Sequence, residues 1–447
     1  MHSQGPGIIY WMINDDVPSL LGPMDGDDLW HFIATRIDDK MEDIDAKAMI
    51  RKATNLDFEM ELLGGDAWYA HNLIANKYSE GRIFLAGDAC HLHPPFGGYG
   101  MNMGIGDGVD LGWKMAAVLQ GWGGEELLAS YETERRPVHK WIMDEAIANY
   151  SALGNQLAVA GIEEPGPVGD ATRREAAEVI YTAKIREFKS LGAVLGYRYD
   201  GSPIVVLDGT SIPPQQAVIY QPSARPGCLA PHLWLRDGSS LYDHFGDGFT
   251  LLSAIGASEK EFERAEECAK GLAVPLKTIA PIDARLRRRY QANFALIRPD
   301  QHVAWRGDEI PKDFSLILRQ VIGGGNDAPD TPETSVTQVM MVHTEEGGGA
   351  GWRYAPDMAT TIAHNANSEL AEAIRKNPSR FAGFASLNLR EPLTAAKELE
   401  RCIREFGFHG GMLHGHTGEA FLDHARFFPL WEAAEAFTSD EIREQES

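Results

Sequence analysis

Cysteine is scarce. Cys90, Cys228, Cys268 and Cys402 stand far apart in 447 residues, with no Cys-x-x-Cys pair. This spacing excludes a disulfide framework and a thiolate zinc site, and it fits a reducing compartment, expected to be the cytoplasm. Long apolar runs are missing too: none approaches the ~20 residues of a membrane-spanning helix. Basic residues are outnumbered, 41 against 65 acidic ones, for a formal net charge of −24. That balance argues against nucleic acid or an anionic membrane as partner, since both attract basic surfaces. The opening MHSQGPGIIYWMINDD has no basic n-region and no long h-region, so no signal peptide is read there. IIYWMI reads instead as a buried strand with no lead-in, and the chain is expected to start late in a domain. Finally, no Gly-x-Gly in the chain has the third glycine of a Gly-x-Gly-x-x-Gly turn, the usual cradle for a dinucleotide pyrophosphate.

At 44% hydrophobic and 24% charged, the composition is that of an ordinary globular protein. Between residues 7 and 80, strand-like runs (GIIYWMIN, DFEMELLG, WYAHNLIANKYS) alternate with helical ones (DDLWHFIATRIDDKM, DAKAMIRKAT). RIFLAGD is a short apolar run ending in Gly-Asp, the mark of a buried parallel strand. A helix is expected from Met101 to Gln120, with Ile105, Val109, Gly112, Trp113, Ala116 and Ala117 on one side. A second starts at Glu125 and is interrupted at Pro137, and residues 151–190 read as mostly helical. Residues 200–247 are loop-rich. Then come FTLLSAI (strand), EKEFERAEECAKGLA (helix), PLKTIAP (strand), ANFALIRPD and HVAWRG (strand pair) and DFSLILRQVIG (helix). Residues 323–338 have the Gly/Pro/Asp/Thr content of a linker. Beyond it VMMVHT, FAGFASLN and FHGGMLHG alternate with helical runs, indicating parallel βα units.

The densest stretch is GDACHLHPPFGGYGMN, residues 87–102. A strand running into Gly-Asp, then a Gly/Pro loop, then a helix is the layout of a nucleotide site in a parallel sheet. Asp88 can accept hydrogen bonds from sugar or ribityl hydroxyls. Gly97, Gly98 and Gly100 let backbone approach a flat ligand, and the positive end of the following helix favours negative charge. A Gly-rich turn with a solvated Asp satisfies the same spacing. His91 and His93 invite a metal reading, but no third ligand suggests itself and no metal is assigned. Trp68, Tyr69, His71 and Tyr99 are candidates to face a ring substrate and equally candidates for core or sheet positions.

The string itself resembles the second FAD motif of the group A flavoprotein aromatic hydroxylases, the phenol and para-hydroxybenzoate hydroxylase type, at Gly87, Asp88, Ala89, His91, Pro95, Gly98, Gly100 and Asn102. DGVDLGWKMAAVLQG and LLASYETERRPV extend the likeness. The resemblance implies an FAD-dependent monooxygenase that uses NADH or NADPH and O2 to hydroxylate a phenolic, resorcinol-like ring. It implies a cofactor site of Gly87, Asp88, Pro95, Gly98, Gly100, Met101 and Asn102. Asp88 would lie on the ribityl chain, Pro95 and the 98–102 backbone along the ring, and the helix from Met101 near the reduced flavin. PSARPGCLAPHLWL, LYDHFGDGFTLL and ALIRPDQHVAWRG resemble the thioredoxin-like C-terminal domain of the phenol hydroxylase branch. Residues 1–325 thus resemble the later part of such an enzyme, N-terminally truncated.

NPSRFAGFASL, ELERCIREFGFHGGMLHG and ARFFPLWEAAEA resemble the amidohydrolase-related decarboxylases of the γ-resorcylate type, metal-dependent (β/α)8 barrels. His364, His409, His414, His416 and His424 do not fall on that family's ligand positions, so no metal is assigned here either. The expected class is α/β and α+β multidomain, in four parts. Residues 1–190 form a partial FAD-binding hydroxylase fold and 200–322 a thioredoxin-like domain. Residues 323–338 form a linker and 339–447 a partial (β/α)8 barrel fragment. Expected partners are a phenolic small molecule and a second copy of the chain as homodimer. The alternatives are a catalytically incomplete fusion fragment and a non-catalytic dimerisation or binding module.

Overall fold

The computed structural model describes residues 7–14, 16–25, 28–34, 44–65, 70–81, 83–151, 158–211, 213–256, 259–324, 356–376, 383–408, 410–412, 416–417, 420–421, 424–434 and 436. Trp68, Tyr69, His409, His414, linker residues 325–338 and the expected strand 339–344 lie outside these. Along the chain run β1 (Tyr10–Met12), β2 (Ser19–Pro23), β3 (Trp30–Ala34), α1 (Ala46–Thr54), β4 (Leu73–Ile74), β5 (Ser79–Glu80), β6 (Ile83–Phe84), a 3-10 turn (Gly87–Ala89) and β7 (His91–Leu92). The helices α2 (Tyr99–Leu119), α3 (Glu125–Ser151), α4 (Gly166–Phe188) and α5 (Leu191–Leu195) follow. Next come β8 (Phe249–Ser253), α6 (Glu259–Gly271), β9 (Leu276–Ile279), α7 (Arg285–Tyr290), β10 (Phe294–Ile297), β11 (Val303–Gly307) and α8 (Phe314–Val321). The C-terminal stretch adds α9 (Pro356–Lys376), β12 (Ala385–Ser386), α10 (Pro392–Phe406) and β13 (Gly411–Met412).

The chain divides into two compact units. The first holds residues 1–71, 94–97 and 144–190. Its sheet is an antiparallel meander, β1–β2–β3. Asp45 caps α1 by accepting from the Ala48 N–H at 3.0 Å. The Lys184 ammonium lies 4.0 Å from the Trp11 ring centroid and pairs with Glu187, so its burial is compensated. Two expectations fail in this unit. The run 27–41, expected as helix, carries strand β3, because Trp30–Ala34 pairs along its whole length with β2. DFEMELLG, expected as strand, makes none: Phe58, Leu62 and Leu63 stay exposed with no strand beside them. Its alternation mimics a strand, but a strand requires a partner's hydrogen-bonding edge.

The second unit holds residues 72–93, 98–143 and 191–447. Its largest sheet has the order β11-β10-β8-β9, with β8 and β9 parallel and the other pairs antiparallel. FTLLS and FALI are buried at every residue. Period-two alternation explains why: Phe249, Leu251, Phe294 and Leu296 enter one core, and Leu252, Ala295 and Ile297 the core on the opposite face. Phe249 sits edge-on to Trp113 of α2 at 6.0 Å and to Trp122 at 6.2 Å, so the sheet and that helix share one core. A third cluster joins α9, α10 and the parallel pair β12–β13, and Ala89 of the 3-10 turn packs against it. Pro392 starts α10 and left-handed Gly407 ends it, the expected asymmetry of helix ends.

Two further expectations are corrected here. RIFLAGD is not a parallel strand among the described residues: β6 pairs antiparallel with β5, the segment just before it, which a tight turn can reach only in that sense. Pro137 does not interrupt α3, which runs unbroken from Glu125 to Ser151. Replacing Phe249 by Ala removes the ring joining sheet and helix. It should cost about 3–5 kcal/mol, measured by denaturant unfolding followed through tryptophan fluorescence.

Candidate functional site

Gly87 opens the 3-10 turn with φ +62°, a left-handed conformation that favours glycine. Its carbonyl accepts from the Cys90 N–H at 2.9 Å, closing the turn. Its own N–H donates to Asp107 on α2 at 2.9 Å. The same carboxylate receives His91 Nε2 at 3.1 Å, Arg135 Nε at 2.7 Å and His139 Nε2 at 2.8 Å. A carboxylate offers about four acceptor positions, so Asp107 is saturated. Burial alone would raise its pKa, but Arg135 and the two histidines hold it far below the usual carboxylate range. His139 is pushed down to about 3, chiefly by burial, so it is neutral. It therefore donates through Nε2, while Nδ1 receives the Tyr78 hydroxyl at 2.7 Å.

Cys90, His91, Asp107 and His139 bring their ligand atoms within 4.8 Å of one another, a grouping the sequence reading did not assemble around His91. Two observations count against a metal. The Arg135 guanidinium already supplies the positive charge beside Asp107. Burial also pushes the Cys90 thiol up, away from the thiolate a metal needs. The cluster is a hydrogen-bonded knot closed by its own cation.

A second buried cluster lies further along α2. Lys114 donates to Asp110 at 2.8 Å and to Glu134 at 2.6 Å. Arg298 donates to Glu134 at 2.5 and 2.9 Å and to Asp110 at 3.0 Å, and also binds Asp300. Three carboxylates thus face two cations. Burial, reinforced by Glu134 and Asp300, pushes Asp110 up to about 8, whereas Arg298 and Lys114 overcome the burial of Glu134 and bring it down to about 2. One proton on Asp110 balances the cluster.

The structure brings several of the expected cofactor residues into the second unit: Gly87 and Asp88 in the turn, and Gly98, Gly100, Met101 and Asn102 at the start of α2. Gly98 is the left-handed N-cap (φ +65°), a Cβ there would meet open space, and no side chain caps the helix. Asn102 Nδ2 donates back to the Gly98 carbonyl at 2.9 Å. Pro95 and His71 belong to the first unit, and Tyr99 is buried on α2. Of the residues expected on one side of α2, Ile105, Val109, Gly112 and Ala116 face outward, whereas Ala117 is buried and Trp113 partly buried. The inward face carries Asp107, Asp110 and Lys114 beside Met103, Leu111, Met115 and Ala117. In the C-terminal stretch, His364 binds Glu398 at 3.0 Å and His424 accepts from the Arg426 N–H. Asp107, Arg135, His139 and Arg298 were not singled out from sequence. The available signal was the three- and four-residue spacing of Asp107, Asp110 and Lys114, which places all three on one helical face.

Residues 1–146 match the family model for an FAD binding domain and residues 223–324 that for the C-terminal part of aromatic-ring hydroxylases. Residues 320–437 match an amidohydrolase model. The chain joins segments similar to FAD-dependent aromatic hydroxylases to an amidohydrolase-like segment. The FAD-dependent monooxygenase apdD of Emericella nidulans is 37% identical over 280 residues, covering 59% of this chain and 44% of that protein. Phenol 2-monooxygenase of a Pseudomonas species is 31% identical over 331 residues, covering 66% and 54%. Among solved structures, the rebeccamycin biosynthetic enzyme RebC with reduced flavin aligns with TM-score 0.64 at 35% identity, over 71% of this chain and 59% of that one. A complex of aklavinone-11 hydroxylase with FAD and aklavinone aligns at 0.56 and 30%, over 70% and 58%. The chain spans about half the length of the relatives it matches. FAD is the cofactor named by the matched binding-domain model, by apdD and by the aklavinone-11 hydroxylase complex. No described helix is long and apolar enough to cross a membrane.

The residues present fit the riboflavin part of FAD. Left-handed Gly87 and Gly98 put backbone where a Cβ would be strained, Asp88 is half-exposed on the turn, and the start of α2 has no side-chain cap. The pyrophosphate has no Gly-x-Gly-x-x-Gly turn in this chain.

The charge cluster gives a pH prediction. Asp110 keeps in the fold a proton that it loses above its ordinary value of 3.8 when unfolded. Its contribution is therefore complete below that value and lost as pH rises through about 8. The melting temperature should fall between about pH 5 and pH 8 and level off above that, and Asp110→Asn should flatten that fall. Equal slopes in the two proteins would rule out Asp110 as the source.

Proposed function

We propose that this chain carries the riboflavin-binding part of an FAD-dependent monooxygenase that hydroxylates a phenolic, resorcinol-like ring using NADH or NADPH and O2. The observation that supports this most directly is the locked Gly87–Ala89 turn leading into an uncapped α2, within a segment matched to an FAD binding domain. Asp88 would accept from the ribityl hydroxyls. The Gly98–Asn102 backbone, with Gly87, Gly100 and Met101, would lie along the flavin, and Pro95 belongs to the same set. Bound FAD supplies oxygen activation; the chain's own part is to orient the ring and place the helix's positive end against developing negative charge. In this reading residues 1–190 are the later part of the FAD and substrate region and 200–322 a thioredoxin-like domain that serves homodimer contacts. Residues 323–338 are a linker and 339–447 a barrel fragment of the γ-resorcylate decarboxylase type without its metal ligands. Relatives such as phenol 2-monooxygenase support a phenolic substrate. The second reading is a catalytically incomplete fusion fragment or a non-catalytic binding module.

One titration separates the two. FAD added to the purified chain should quench in fluorescence and saturate near one per chain, and NAD(P)H oxidation should then rise on adding a phenol, with a hydroxylated product. A folded chain, by circular dichroism, that leaves flavin fluorescence unchanged would overturn the first reading.

A further inference from the structure

We propose that Asp107 is the positioning residue of the flavin site: it sets the direction of the Gly87–Ala89 turn and the distance from that turn to the start of α2. The inference rests on the flavin reading above. Asp107 is fully buried, at 0% exposure. It touches the backbone that carries Asp88. The Gly87 N–H is one of its four donors, and the others come from β7 (His91) and α3 (Arg135, His139). Arg135 also donates to the Met103 carbonyl at 3.1 Å, so the carboxylate and the first half of α2 are tied to the same guanidinium.

The surroundings are shaped for this pair. A Cβ on Gly106 would come within 2.8 Å of Arg135 Nη2, so only glycine leaves room for the guanidinium there. At Gly104 the helix lies against the turn: a Cβ there would be in ordinary van der Waals contact with the Gly87 Cα, at 3.5 Å. An amide cannot replace the carboxylate. Its NH2 would face donors, and at least one of the four N–H groups would be buried without an acceptor. The two places where a flavin would be held, the turn and the helix start, therefore hang from one ionised side chain.

The test is FAD titration of the full chain, wild type against variants. With wild type binding, Asp107→Asn that still melts cooperatively should bind about tenfold or more weakly. At saturation it should also shift the visible circular dichroism of the bound flavin. Phe314→Leu, in the core beside the large sheet, serves as the control for lost stability. It should lower the melting temperature while leaving FAD affinity within about threefold of wild type. Should Asp107→Asn not fold, Asp107→Glu carries the same test: it keeps the charge on Arg135 and the acceptor positions, but moves them by one methylene. Wild-type affinity and spectrum in the Asp107 variant would overturn the proposal, as would an affinity loss in Phe314→Leu that matches it. A folded wild type that binds no FAD would overturn the flavin reading, and the proposal with it.

Discussion

The inward face of α2 carries three ionic side chains among its apolar ones, and the surrounding structure is organised by that constraint. Asp107, Asp110 and Lys114 are all buried. An uncompensated buried charge costs several kcal/mol, so each must meet a partner. The partners are Arg135, His139 and Glu134 on α3, and Arg298 with Asp300 after β10. Turning α2 by one residue, about 100°, would bring Ile105 or Val109 inward and strand the cations. Charge complementarity therefore fixes the roll of this helix together with the burial of Met103, Leu111, Met115 and Ala117 on the same side. The exposed apolar stripe of Ile105 and Val109, at 57% and 51% exposure, follows from the same choice.

The second charge cluster also explains why two separately matched segments pack as one piece. Asp110, Lys114 and Glu134 fall in the segment matched to an FAD binding domain, Arg298 and Asp300 in the one matched to the ring-hydroxylase C-terminal part. Arg298 crosses between them, with its guanidinium also stacked 5.1 Å from the Trp113 ring and 5.0 Å from Tyr199. Phe249 repeats the crossing in apolar form a short way along α2. The turn at Gly87 hangs from the same helix. Its geometry is thus supported from α2 and α3, whereas β6 supplies only a two-residue antiparallel pairing.

Elements whose signal is local were legible in the sequence. FTLLS and FALI announce strands buried on both faces, and Pro392 and Gly407 bracket α10. The 87–102 string was legible because its glycines are needed for backbone conformation, which leaves a mark independent of distant residues. Trp30–Ala34 was misread as helix because its strand character depends on β2, and pairing is not a property of the segment alone. The Asp107 knot was invisible for a similar reason. Three of its donors, at Gly87, Arg135 and His91, stand 20, 28 and 16 residues away in the chain. The contacts of Arg298 span 164 and 188 residues. Periodicity reports which face of a helix is apolar, but not that a buried face can carry charged residues as well.

The C-terminal segment uses the same device at smaller scale. Glu398 on α10 gathers His364 and Asn367 from α9 and Arg401 from its own helix. Burial would raise its pKa, yet these donors bring it down to about 2. Asn367 in turn exchanges hydrogen bonds with both backbone groups of Ser386, fastening α9 to β12. Asp107, Glu134 and Glu398 are held ionised by the donors they collect from several elements, and each brings a negative charge that is matched locally inside the fold. The chain's large acidic excess is therefore not only a property of its surface. Asp107, Glu134 and Glu398 show part of it acting as the points at which helices, turns and strands are joined.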